Sequence, residues 1–146
     1  MCNDLFKKVE NMLSSYNDTK IEIKNLKLDL EYLENSYKGI SALTYSEKVG
    51  ETNKINSSVE NEIIKKEDEV FKLKNKIKVK EIQIQKIDNI IDGSLLNKEE
   101  IFIIKERYFN KKSNKYIAAL LNVTEQTSSD YKNKLIERLI PLLINA

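Results

Sequence analysis

Starting at Leu5, the residues separated alternately by four and three positions are Val9, Met12, Tyr16, Thr19, Ile23, Leu26, Leu30, Leu33, Tyr37 and Ile40, and only Thr19 breaks the apolar series. A repeat of about 3.5 residues kept for this long leaves few options. It belongs to a helix that packs lengthwise against another helix, because only that spacing holds one seam against a partner. Lys20, Glu22, Lys24, Lys27, Asp29, Glu31 and Glu34 cover the other faces. The spacing resumes with Val59, Ile63, Val70, Leu73, Ile77, Ile84, Ile87 and Ile91, with Lys66 and Lys80 at the two remaining seam positions. A lysine in a seam can carry its ammonium out to water, or it can disfavour a wrong register.

Each helix is expected to span roughly 35 residues, about 50 Å at about 1.5 Å per residue. Matched lengths with a connection between them favour an antiparallel hairpin. Pairing between two copies of the chain, a homodimer through the long helices, is the competing arrangement, and the sequence does not choose. Residues 39–57 lose the repeat and hold two of the three glycines, so they read as a connecting loop, with Leu43, Tyr45 and Val49 available for burial. Asp92, Gly93 and Ser94 end the second helix, which predicts a helical domain over 1–93 and a second domain over 94–146.

Three glycines and one proline in 146 residues leave too few turn residues for a β fold, so the chain reads as all-α. Histidine is absent and Cys2 is the only cysteine, which removes most metal sites and any histidine-based catalytic pair. No enzyme activity, cofactor or metal is expected, and an internal disulfide is impossible. The lone cysteine, the mixed-charge start MCNDLFKKVENML and the lack of a long apolar run point to a cytoplasmic protein with no membrane partner. The net charge of +2 announces no partner, although from Ser94 onward nine Lys and Arg stand against six Asp and Glu.

That last third carries the most specific signal. Asn97 followed by Glu100 reads as a capping box opening a helix whose run Ile101 to Ile104 is apolar on every side. From Ser113 to Ile140 two short helices are predicted around a three-residue turn. Ile117, Leu120 and Leu121 give the first an apolar face, and Ala118 permits a close crossing. Asn122 suits the left-handed residue that ends such a helix, Val123 plugs the turn and Thr124 caps the second helix. Ser128, Tyr131, Leu135 and Leu139 are expected to face inward. Glu125, Gln126, Ser129, Asp130 and Asn133 then face outward, with Lys132 and Lys134 at the edges. Short polar groups flanked by cations suit a DNA major groove, where amides meet base edges and lysines meet phosphates. Pro141 is expected to stop the helix near Ile140, leaving Leu142, Leu143 and Ile144 as an apolar tail. The packing-only alternative is that any three-helix bundle contains such a pattern.

The order Glu-x-x-Ile-x-x-x-Arg-Tyr at Glu100 to Tyr108, followed by Ile117, Ala118, Leu121, Val123, Thr124, Lys134, Leu135 and Leu139, resembles the fourth region of sigma factors. The segment Tyr108 to Leu139, with its Tyr-Phe-Asn-Lys-Lys run, is also similar to the carboxyl-terminal part of phage late-transcription regulators of the RinA and ArpU group. This resemblance implies a long helical hairpin followed by a three-helix, sigma-region-4-like helix-turn-helix module. It implies a DNA-binding activator of phage or prophage genes. Residues expected at the DNA are Lys111, Lys112, Ser113 and Asn114 around the start of the first helix, then Thr124, Glu125, Gln126, Thr127, Ser129, Asp130, Lys132, Asn133 and Lys134. Sigma factors often carry arginines where this chain has Glu125, Thr127 and Ser129. Two other readings compete with a regulator: a phage packaging or assembly protein, and a partner of RNA polymerase that makes no specific DNA contact.

Overall fold

The computed structural model describes residues 2–46 and 53–144, with side chains over 3–36 and 60–144. The fold is all-α: α1 (Cys2–Ser14), α2 (Tyr16–Ser46), α3 (Asn53–Asp92), α4 (Lys98–Ile103), a π-helical continuation of α4 (Ile104–Phe109), α5 (Asn114–Leu121) and α6 (Glu125–Leu143). The described residues include no strand. Two compact units divide the chain, one made of 1–20 with 81–146 and the other of 21–80. The expected boundary after residue 93 is thus replaced by a unit that joins the two ends of the chain. Helix also covers 39–46 and 53–57 of the expected loop, since one glycine costs a helix only about 1 kcal/mol while Ala42 and Leu43 favour it. Val49 and the side chains of Leu43 and Tyr45 lie outside the described residues.

In the unit 21–80, Ile23 and Ile77 are buried, and Leu26, Leu30, Leu33, Ile63, Val70 and Leu73 are half-buried. Two ion pairs give the direction of pairing. Glu22 Oε2 lies 2.7 Å from Lys80 Nζ, and Glu34 Oε1 lies 3.7 Å from Lys74 Nζ. Numbers rise along α2 as they fall along α3, so the helices pair antiparallel within one chain. Lys80 behaves as a snorkelling seam lysine. Its hydrogen bond and charge hold the Glu22 carboxyl below the usual carboxylate range.

In the other unit, α6 packs on α1, α4 and α5. Its buried stripe is Ser128, Leu135, Ile136, Leu139 and Leu143, with Lys132 among them at only 12% side-chain exposure. Each Leu or Ile buried this fully contributes about 1.5–3 kcal/mol. Tyr131, expected to face inward, is exposed, and Leu120 of α5 is exposed as well. The inward centre of α6 lies between Lys132 and Leu139, which rotates Tyr131 to its margin. The stripe also explains why Pro141 does not stop the helix. Leu143 is buried and Ile144 N–H still donates to the Ile140 carbonyl at 2.9 Å, while Pro141 and Glu137 sit on the wet side, where water can satisfy the Glu137 carbonyl.

The first repeat also fails locally. In α1 the buried residues are Val9 and Leu13, whereas Met12 is half-buried and Leu5 exposed. The reason is that α1 lies against α6 and the π-helical segment instead of along one partner. Ser15 separates α1 from α2 and donates its hydroxyl back to the Met12 carbonyl at 3.3 Å, a bond that competes with regular helix. At the end of α3, Ile90 is buried where Ile91 was expected. There Gly93 follows so tightly that a Cβ on it would sit 2.8 Å from the Asn89 carbonyl oxygen.

Candidate nucleic-acid interface

Local chemistry sets the two helix ends that frame the turn. Asn122 adopts φ 58° and ψ 43°, the left-handed conformation. Its N–H donates to the Ala119 carbonyl at 3.3 Å, and the Val123 N–H donates to the Ala118 carbonyl at 3.0 Å. These are the two bonds of a Schellman ending. Thr124 Oγ1 accepts from the Thr127 N–H at 3.1 Å and donates to Thr127 Oγ1 at 2.8 Å, so Thr124 and Thr127 are both committed to starting α6. Ser113 does the same for α5, accepting from the Tyr116 N–H at 3.1 Å. At α4, Asn97 Oδ1 accepts from the Glu100 N–H at 2.8 Å while the Asn97 N–H donates to Glu100 Oε1 at 3.1 Å, completing the expected capping box. Glu100 Oε2 also pairs with Arg138, which ties α4 to α6.

One side chain joins α5 to α6. Asn114 Nδ2 donates to the Glu125 carbonyl at 2.9 Å and to Ser129 Oγ at 3.1 Å, and Asn114 Oδ1 accepts from Arg107 at 3.2 Å. Asn114 and Ser129, both expected at the DNA, are therefore half-buried parts of a clamp.

Lys111 and Lys132, also expected at the DNA, are both engaged by α1. Lys111 takes a positive φ of 57° and donates to the Ser14 carbonyl, which the interruption at Ser15 exposes at the end of α1. A cation there complements the helix dipole. Lys132 reaches Glu10 at 3.3 Å and lies 5.2 Å from the centre of the Phe6 ring. Glu10 accepts from the Tyr108 hydroxyl as well, at 2.6 Å, and burial followed by this bond pushes the Tyr108 pKa upward. The π-helical segment sets this geometry. Asn110 N–H reaches back five residues to the Lys105 carbonyl, so that Tyr108 faces Glu10 while Phe109 stacks on Tyr16 at 4.2 Å and 14°.

Left on the open side of α6 are Gln126, Asp130, Asn133 and Lys134, with Glu125 at its start. Gln126 Nε2 donates to Asp130 Oδ1 at 3.1 Å. Glu137 extends the same side by one turn and adds a third acidic group to Glu125 and Asp130. Just before α5, Lys112 lies 5.2 Å from the centre of the exposed Tyr116 ring, and Lys115 on α5 is also exposed. Lys115 adds a cation to the start of α5 that the adjacent Lys111–Lys112 pair in the sequence does not signal. The arrangement offers amide donors and acceptors for base edges and a few cations for phosphates. Three carboxylates, Glu125, Asp130 and Glu137, sit among them.

Compared with family models, curated proteins and solved structures, the chain has no match. The described residues contain no group of three or more Asp, Glu, His or Cys placed to hold a metal, and no described helix is long and apolar enough to cross a membrane.

Proposed function

We propose that this chain is a sequence-specific, DNA-binding transcriptional regulator, an activator of phage or prophage genes acting in the cytoplasm, without enzymatic activity. The observation that carries the reading is the open side of α6. Gln126, Asp130, Asn133 and Lys134 are all exposed on a helix held at its start by Thr124 and by the Asn114 clamp. Gln126 and Asn133 would read base edges, and Lys134, Lys112 and Lys115 would meet phosphates. Gln126 must leave Asp130 to do so, which gives the free protein a competing bond that the correct base has to replace. A symmetric dimer through the long helices would read two half-sites about one helical turn apart, or a multiple of that. RNA polymerase would then be the partner of an activator bound beside a promoter.

The test is a gel-shift series with the DNA upstream of its own gene. Binding that weakens steeply with salt, and that falls about 10- to 100-fold when Gln126 and Asn133 become alanine, supports the reading. No binding at low salt refutes it. A second reading, an assembly protein, draws support from the large apolar side chains left outside the seam, Ile21, Leu28 and Tyr32 on α2 and Ile64, Phe71 and Val79 on α3. A high-order ring in solution would favour it.

A further inference from the structure

The seam of the unit 21–80 is filled from within the chain, and yet α2 carries a second apolar stripe on its opposite side. Ile21, Leu28 and Tyr32 are exposed to 57%, 63% and 76%. With Asn25 they follow the four-three spacing of a packing face, offset so that the seam residues Ile23, Leu26 and Leu30 lie on the far side of the helix. Two charges run along one margin of this stripe, Lys24 and Glu31, both exposed and neither in an ion pair among the described residues.

We propose that this stripe binds the same stripe of a second copy, α2 against α2 in antiparallel orientation. The charges along its margins are complementary to those of a second copy, and the antiparallel direction is the one that gives Glu31 a partner. When Ile21 of one copy is set opposite Tyr32 of the other, Asn25 falls opposite Leu28. Lys24 then meets Glu31 of the second copy, and symmetry makes that pair twice. The other margin holds Glu22 and Asp29, which would repel across the interface, but Glu22 is already compensated by Lys80 at 2.7 Å. A parallel pairing would instead set Lys24 against Asp29 of the second copy and leave Glu31 opposite the uncharged Ser36, so Glu31 is the residue that separates the two directions. The contact is isologous, so it closes at two copies. Three large apolar side chains per copy make a small interface, and a small interface goes with a reversible dimer. This inference rests on the dimer reading above and is independent of DNA binding.

The experiment is sedimentation equilibrium of the full chain over a wide concentration range, with far-ultraviolet circular dichroism and urea melts as controls for folding. The expected result is a mass that rises with concentration from 17.0 kDa to twice that value and no further. Leu28→Glu should abolish the rise. Lys24→Glu alone and Glu31→Lys alone should each weaken the dimer about tenfold or more, and the double exchange should restore it, because the exchanged charges meet again in the antiparallel pairing. A monomer at every concentration overturns the dimer reading together with this proposal. A dimer that survives Leu28→Glu, a dimer that the double exchange does not rescue, or an assembly larger than two overturns the proposed face while leaving self-association to another surface. Gel-shift activity is read separately and bears on neither.

Discussion

Asn114 and Ser129, fifteen positions apart, share a hydrogen bond of 3.1 Å, and the same Asn114 amide holds the Glu125 carbonyl at 2.9 Å. A single side chain at the start of α5 thereby holds the first turn of α6. Replacing Asn114 with alanine leaves Arg107 without its acceptor and frees both α6 groups. The expected loss is about 1–3 kcal/mol, measured as a lower urea midpoint with an unchanged slope. Asn114→Asp keeps the acceptor for Arg107 but not the donors, so it should fall between the two. An alanine variant as stable as the parent would show that the clamp contributes nothing.

Lys132 and Lys134 are two positions apart in sequence and should behave as opposites. Lys132 is held by Glu10 at 3.3 Å and is mostly covered, whereas Lys134 is exposed. Lys132→Met should lower stability and leave the salt dependence of the proposed DNA binding unchanged. Lys134→Met should leave stability within about 0.5 kcal/mol and reduce the slope of log affinity against log salt by about one. Reversed behaviour of the two variants would overturn the proposed assignment of the open side of α6 to DNA.

Alkaline pH should loosen the interior around α1. Burial, with help from the Asp88 hydrogen bond, raises Tyr16 from 10.0 to about 12, and Tyr108 is raised further in the same direction. Between those values the unfolded chain has lost protons that the folded chain keeps. The tyrosine contribution is therefore fully present below pH 10.0 and is lost as pH rises through about 12. Urea midpoints taken at half-unit steps should decline above pH 10.0, and the decline should be shallower in Tyr108→Phe. Lysines titrate in the same range, so the difference between parent and variant is the quantity to read. Identical slopes would rule out the tyrosine contribution.

Pro141 lies inside α6 on its exposed side. Pro141→Ala gives the Glu137 carbonyl a donor and relieves the ring, an effect of roughly 3 kcal/mol, against roughly 1 kcal/mol gained by the unfolded chain's greater freedom. A net rise in stability of about 1–2 kcal/mol is expected from thermal or urea melts. A fall would show that the proline stiffens this end of the helix more than it strains it.

Local chemistry was readable in the sequence, and placement was not. Asn122 in the left-handed region, Thr124 as a cap and the Asn97–Glu100 box depend on neighbours within a few residues, and each is where the residue types put it. Lys111, Lys132 and Leu13 depend on α1 lying against the carboxyl-terminal helices, a contact between segments about a hundred residues apart. No periodicity encodes that contact. The heptad pattern misled in α1 for the same reason, since a helix crossing several partners buries Val9 and Leu13 in place of a straight seam. Pro141 does not end α6 because the burial of Leu143 outweighs one missing donor.

The grip of Glu10 on both Tyr108 and Lys132 bears on any attempt to isolate the last fifty or so residues. A fragment cut at the glycine after α3 would carry its own turn and both caps. It would also expose Leu135, Ile136 and Leu139 without the amphipathic segment that belongs over them, and it would strand an ammonium group beside an apolar surface. Such a fragment should aggregate or melt early. Adding residues 1–20 as a separate peptide should raise its melting temperature, and a fragment that begins at residue 81 should respond more strongly, because the first turns of the chain and everything from 81 onward share one packed interior.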